Sequence, residues 1–100
     1  MADIPTYTLY WQDTALGTVE QIGTDFPWWQ GKYIPVALPA EFSELFRFMT
    51  AEENVAQDPP FAPELLADEH WSLRTAAGET IDICLPAVYW DQAEIHWRLR

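Results

Sequence analysis

The chain has 100 residues, and 49% of them are hydrophobic, so it can build one modest core and is too apolar for a disordered tail. Sixteen acidic residues against five Lys and Arg give a formal net charge of −11. This charge argues against binding to nucleic-acid phosphates or to an anionic membrane. The negative charge favours a basic protein as the partner. The simpler alternative is that the charge only keeps the protein soluble.

The cysteine count and the hydropathy pattern bear on location. A single cysteine, Cys84, cannot form an internal disulfide, which indicates a reducing compartment. No apolar run approaches the roughly eighteen residues of a membrane-spanning helix. The first residues show neither the basic region nor the apolar stretch of a secretory signal. The predicted location is therefore the cytoplasm.

The first third of the chain has the alternation of a β-hairpin. Residues 4–11 are rich in Thr and aromatic side chains, and Tyr7, Leu9 and Trp11 fall on one face of the predicted strand. A short turn follows, and residues 16–22 form the second predicted strand. Because the connection is so short, the two strands are expected to pair in antiparallel fashion.

An aromatic stretch at residues 25–33 follows this hairpin. Pro27 lacks a backbone N–H and predicts a loop rather than a central strand, with a short edge strand at residues 33–36. Trp28 and Trp29 are adjacent, and in an extended backbone successive side chains leave opposite faces. One indole is therefore expected to pack and the other to face a surface or a partner.

The strongest helix pattern covers residues 39–54. Pro39 suits the start of a helix, and two acidic residues follow it near the positive end of the helix dipole. Four apolar side chains then recur at the spacing of a helical stripe: Phe42, Leu45, Phe46 and Met49. This stripe is expected to cover one face of a sheet.

The segment at residues 52–69 has no Lys or Arg and is the most acidic part of the chain. Its prolines end the helix, and a short helical turn is predicted within residues 63–69. Further strands are predicted at residues 71–74, 80–85, 88–90 and 95–99. The predicted fold is a single α+β domain spanning residues 1–100, with a mainly antiparallel sheet of five to seven strands and one principal helix on one face.

One set of polar residues suggests chemistry on the C-terminal strands. If these strands are neighbours, period-two alternation brings together two imidazoles, a thiol and two carboxylates: His70, His96, Cys84, Asp82 and Glu94. A nucleophile with a base, or a metal site, needs such proximity. The alternative is a solvated sheet face with cross-strand ion pairs. No ligand spacing typical of metal sites, phosphate-binding loop or catalytic motif is present, so no metal, cofactor or enzymatic activity is predicted.

The charge and the aromatic stretch together predict a non-enzymatic protein-binding module. The specific hypothesis is a small inhibitor or immunity-type protein that neutralises a basic toxin or nuclease. Its acids would steer the partner and its indoles would anchor it. The predicted binding residues are Asp25, Trp28, Trp29, Glu52, Glu53, Asp58, Glu64, Asp68 and Glu69. The alternatives are a small enzyme or metal protein that uses the polar sheet face, or a structural subunit of a larger assembly. The sequence does not decide whether the protein forms a homodimer.

Overall fold

An antiparallel sheet carries most of the chain in the computed structural model, which describes residues 5–54 and 56–100. The described strands are β1 (Thr6–Trp11), β2 (Thr14–Asp25), β3 (Trp28–Pro35), β4 (Trp71–Thr75), β5 (Thr80–Asp82), β6 (Ala87–Tyr89) and β7 (Glu94–Trp97). The helices are α1 (Ala40–Thr50) and α2 (Pro63–Leu66), with 3₁₀ turns at Glu52–Asn54, Asp68–His70 and Trp90–Gln92. The predicted α+β class, with one principal helix, is confirmed. The predicted first residue of β1, Ile4, lies outside the described residues.

The sheet curls until the end of β5 and the residues after it meet the residues that follow β7. The strand order is β5-β4-β1-β2-β3-β7-β6, and every neighbouring pair is antiparallel. β5 and β6 are therefore at opposite edges, although residues 83–86 alone separate them in sequence. Across this seam Ile83 pairs with Leu99, the Cys84 N–H donates to the Arg98 carbonyl at 2.9 Å, and the Arg100 N–H donates to the Asp82 carbonyl at 3.2 Å. The curled sheet consequently has an inner and an outer face.

The inner face holds the core because alternation sends apolar side chains inward on every long strand. Leu9 lies opposite Leu73, and Val19 lies opposite Tyr33. All four are buried, as are the β7 residues Ile95 and Trp97. No charged or polar residue in the described part of the chain is fully buried. The phenol of Tyr33 donates a hydrogen bond to the Leu16 carbonyl, which satisfies the polar group of this buried ring.

Helix α1 closes one end of the curled sheet, which we call the helix-capped end. Its buried residues are Phe42, Leu45 and Phe46. The Phe46 ring lies 5.9 Å from the Trp71 ring and 6.2 Å from the Tyr33 ring, within the range of favourable aromatic pairs. At the same end the Trp71 indole N–H donates to the Leu65 carbonyl at 3.0 Å, which fixes α2. The apolar stripe of the helix thus does the packing that its spacing predicts.

The helix is shorter than predicted, and its last apolar position differs. Ala51 adopts an extended conformation, so the helix ends at Thr50 and the predicted final turn becomes the 3₁₀ turn Glu52–Asn54. Met49 is 40% exposed, contrary to the expectation that it completes the stripe. Phe48 makes the apolar contact of this last turn instead, with its ring 5.7 Å from that of Phe61.

The largest correction concerns the aromatic stretch after β2. The predicted loop at residues 25–33 is a tight hairpin turn at Phe26 and Pro27 followed at once by β3. β3 has eight residues and lies between β2 and β7, whereas the sequence predicts a short edge strand at residues 33–36. Pro27 occupies the turn, where its missing N–H costs no ladder hydrogen bond, so it does not prevent the next residues from forming an interior strand.

Candidate functional site

The hairpin between β2 and β3 presents an exposed aromatic tip, which we call the hairpin tip (residues 25–28). Asp25 pairs with Trp28 at the ends of the two strands, and Phe26 and Pro27 form the turn. The Phe26 side chain is 93% exposed and Trp28 is 36% exposed. A benzyl ring exposed to water at the end of a hairpin contributes little to the stability of the folded chain, which makes it a candidate contact for a partner.

The two adjacent indoles point to opposite faces of β3, as the alternation predicts. Trp28 lies on the outer face beside Asp25. Trp29 lies opposite Trp97 and packs against the buried core on the inner face. The structure therefore places Trp28, and not Trp29, on the same surface as the carboxylate of Asp25.

A cleft of about 250 Å³ opens on the outer face beside the hairpin tip, and we call it the tip cleft. It is lined by Asp25, Trp28, Gln30, Ala87, Tyr89 and His96. The strand register explains this grouping, because His96 on β7 pairs with Gln30 on one side and with Ala87 on the other. The cleft therefore combines a carboxylate, an amide and three rings within one concave surface.

Contacts within the cleft orient its imidazole. The Nε2 atom of His96 lies 3.0 Å from a carboxylate oxygen of Glu94, and the Tyr89 ring centroid lies 5.0 Å from that of His96. Arg98 stacks over Trp28, with its Cζ 5.4 Å from the ring centroid, and Arg98 is not one of the lining residues. The indole therefore contacts a guanidinium outside the cleft and also forms part of the cleft wall.

A larger groove of about 590 Å³ adjoins the tip cleft, because Tyr89 lines both. We call it the helix groove, because it runs along the last turns of α1 and the Trp90–Gln92 turn. Its charged lining residues are Glu44, Arg47, Glu53 and Asp91. Arg47 lies 3.4 Å from Asp91, and both side chains are well exposed, so water screens this pair strongly. Three carboxylates against one guanidinium leave the groove acidic.

The remaining predicted acids do not join this surface. Glu64 lies at the helix-capped end, where its carbonyl accepts a hydrogen bond from the Trp11 indole at 2.9 Å. Trp11 pairs with Thr14 at the start of β2, eleven residues before Asp25, which corresponds to roughly 35 Å along an extended strand. Glu64 and Asp25 therefore do not lie in one patch.

Two of these acids have structural contacts at the helix-capped end. The carboxylate of Asp68 accepts a hydrogen bond from the Leu85 N–H at 2.8 Å, and the carbonyl of Glu69 lies 3.3 Å from the Arg100 guanidinium. Asp58 is exposed in the loop before α2, and Glu52 is exposed in the turn after α1. Among the predicted acids, Asp25 and Glu53 alone line the tip cleft or the helix groove.

The five residues of the enzyme alternative are not gathered. His70 lies at the helix-capped end, with Nδ1 2.8 Å from the Glu64 carbonyl oxygen, whereas His96 lies beside Glu94 near the tip cleft. Asp82 pairs with Arg100 at 3.3 Å, and the Cys84 sulfur lies 4.0 Å from an Arg98 nitrogen. Within residues 5–54 and 56–100, no group of three or more His, Cys, Asp or Glu side chains is arranged to hold a metal ion.

Sequence reasoning missed Phe26 and Tyr89 as surface residues. The Asp25-Phe26-Pro27 order is a turn signal that could have placed Phe26 at the tip. Nothing local marks Tyr89, because its position beside Trp28 depends on the pairing of β3, β7 and β6.

Comparison with protein-family models, with curated proteins and with solved structures found no match. No helix in the described part of the chain is long and apolar enough to cross a membrane.

Proposed function

We propose that this protein is a non-enzymatic, acidic binding module that docks onto a basic protein partner through the hairpin tip and the two adjoining concave surfaces. The observation that carries the proposal is the exposed Phe26 and Trp28 pair beside the carboxylate of Asp25. Aromatic side chains are enriched among residues that dominate binding energy, since they bury a large area at a small loss of rotamer freedom.

The charge distribution supports the same partner chemistry. The chain carries −11, and the helix groove adds three carboxylates next to the tip cleft. Complementary charge speeds encounter, and buried aromatic contacts slow dissociation. A protein that covers the positive cleft of a toxin or nuclease in this way acts as an inhibitor of the immunity type. The proposal places it in the cytoplasm, in keeping with its single cysteine.

The test measures binding to basic proteins encoded beside this chain in its genome, together with inhibition of their activity. Binding is expected to weaken between about 0.1 M and about 1 M salt, because the Debye length falls from about 10 Å to about 3 Å. An affinity that stays constant across this range contradicts the proposal.

Two variants locate the contact. Phe26→Ala is expected to raise the dissociation constant at least about tenfold, as truncation of a central aromatic does. Ile34→Ala is the matched control, since Ile34 is also exposed (44%) on the outer face but lies toward the opposite end of β3. Equal effects of the two variants count against the hairpin tip as the docking site.

The structural-subunit alternative predicts a different behaviour of the isolated chain. An obligate subunit buries its exposed rings against copies of itself or aggregates. The proposed module is expected to elute as a monomer of 11.6 kDa at micromolar concentration. A stable oligomer that Phe26→Ala dissociates supports the alternative and contradicts the proposal.

A further inference from the structure

We infer that the tip cleft receives an arginine side chain of the partner, in preference to a lysine. This inference rests on the proposed function, because it names the group that the basic partner inserts beside Asp25 and Trp28.

The size and the lining of the cleft favour a single long, planar cation. At about 250 Å³ it lies below the usual range of roughly 300–1,000 Å³ for small-molecule pockets, so it suits one side chain better than a whole ligand. The rings of Trp28 and Tyr89 offer flat apolar surface for the stem and the face of a guanidinium. The carboxylate of Asp25 and the amide oxygen of Gln30 are acceptors for its N–H groups.

The outer face already binds guanidinium groups of this same chain by stacking. Arg74 lies with its Cζ 3.9 Å from the ring centroid of Tyr10, and Arg98 lies 5.4 Å from that of Trp28. Both rings are on the outer face of the sheet. These two intramolecular contacts show that aromatic rings on this face stack with planar cations, and the Trp28 ring also lines the tip cleft, which Arg98 does not.

The chemistry of the two cations explains the expected preference. A guanidinium stacks on an aromatic face and donates several hydrogen bonds in a fixed plane, whereas an ammonium is a compact, strongly hydrated charge. Asp25 lines the cleft, Glu94 and Arg98 contact its lining residues His96 and Trp28, and Lys32 lies opposite Glu94 on the same face. The neighbouring helix groove is acidic. A second basic residue of the same partner segment can therefore bind in the acidic helix groove, which shares Tyr89 with the tip cleft.

The test uses three synthetic peptides of equal length that carry arginine, lysine or citrulline at the same positions. Citrulline keeps the planar shape of the side chain without the positive charge. Binding is followed by NMR from the backbone amide signals of the residues that line the cleft and, in chains that keep Trp28, also from its indole N–H signal, assigned with Trp28→Phe. The arginine peptide is expected to bind about fivefold more tightly than the lysine peptide, the advantage that a stacked cation gains. The citrulline peptide is expected to show no measurable binding.

Two pairs of matched variants place the binding. Asp25→Asn and Trp28→Leu are expected to weaken arginine-peptide binding about fivefold or more. Asp13→Asn and Tyr10→Leu are the controls, because Asp13 is an exposed acid in the turn before β2, the Tyr10 ring stacks with Arg74, and neither residue lines the tip cleft. All four positions are on the surface, and an unchanged pattern of dispersed amide signals verifies folding.

Equal affinity for arginine and lysine peptides overturns the inference, and so does an equal loss in the Asp25→Asn and Asp13→Asn variants. Either result leaves the proposed function standing if a basic protein still binds in a way that depends on Phe26. The proposed function fails separately if no basic protein binds, even when the arginine peptide does.

Discussion

The helix-capped end and the hairpin tip both consist largely of aromatic residues, yet they differ in burial. At the helix-capped end Tyr33, Phe46 and Trp71 are almost fully buried and in ring contact. At the hairpin tip Phe26 is nearly fully exposed and Trp28 is partly exposed. The difference arises because α1 and α2 both pack at the helix-capped end, whereas the rings of the hairpin tip lie in and beside a turn. Aromatic content therefore stabilises the first region, and in the second it is available for binding.

The largest expected effect is at the helix-capped end. Phe46→Ala removes a buried ring that contacts Tyr33, Trp71 and Trp90, and the rigid surroundings cannot fill the space. The free energy of unfolding is expected to fall by about 3–5 kcal/mol, which urea denaturation measures. A loss below about 1 kcal/mol would show that the end is loosely packed and would remove the contrast between the two regions.

A somewhat smaller effect is expected at the glycine where β3 runs from the tip into the core. A Cβ atom on Gly31 would lie 2.7 Å from the Glu20 carbonyl oxygen and 3.0 Å from the Trp97 ring. Gly31→Ala is expected to destabilise the fold by about 1–3 kcal/mol through this overpacking, measured by denaturation. Gly23→Ala is the control nearer the tip, where the closest atom is 3.7 Å away, and it should be nearly neutral. Similar losses at both positions would refute the role of close packing at Gly31.

The next largest loss of stability is expected from removing one buried hydroxyl group. Tyr33→Phe removes the hydrogen bond from the phenol to the Leu16 carbonyl and leaves that acceptor without its partner, at a cost of about 1–2 kcal/mol. The measurement is denaturation at neutral pH. An unchanged stability would mean that a water molecule donates to the Leu16 carbonyl in place of the hydroxyl, and that water enters this end of the core.

The same residue predicts a pH dependence. Burial raises the pKa of the Tyr33 phenol well above its ordinary value, so the folded chain keeps a proton that the unfolded chain loses above about pH 10. The unfolded state then binds fewer protons, and stability falls as the pH rises beyond that value. Denaturation between about pH 9 and about pH 11 is expected to show a steeper loss for the wild type than for Tyr33→Phe. An equal loss of stability with pH in the wild type and in Tyr33→Phe would show that Tyr33 is not the source of the pH dependence.

The smallest expected effect on stability is at the hairpin tip. Phe26→Ala changes an exposed side chain, so the free energy of unfolding should stay within about 0.5 kcal/mol of the wild type. The same variant is expected to lose partner affinity, which separates binding from folding. A large loss of stability would instead make Phe26 a structural residue and would break the comparison.

Local patterns predicted the individual elements well. The spacing of Phe42, Leu45 and Phe46 predicted the buried face of α1, and alternation predicted that Trp28 and Trp29 diverge. The four C-terminal strands begin within one residue of their predicted starts, but β5 ends at Asp82 and not at residue 85. These features depend on the helix and strand periods, which the sequence encodes directly.

Non-local features were the ones that sequence reasoning could not supply. Pro27 suggested a loop, whereas the pairing of β3 with both β2 and β7 makes the following residues an interior strand. The acids of residues 52–69 are close in sequence, and whether they form one patch could not be predicted from the sequence. Folding instead leaves Glu53 in the helix groove and puts Asp68 at the helix-capped end, where it accepts a backbone hydrogen bond.

The sequence by itself determined the α+β class, the amphipathic helix, the net charge and the opposed directions of the two adjacent indoles. Tertiary structure alone decided which strands are neighbours, that the residues after β5 pair with the residues after β7, and that Tyr89 and His96 join Asp25 and Trp28 in one cleft. The physical reason is that side-chain periodicity is a property of a few consecutive residues. The pairing of distant strands depends instead on the packing of the whole core against the entropy of closing long loops.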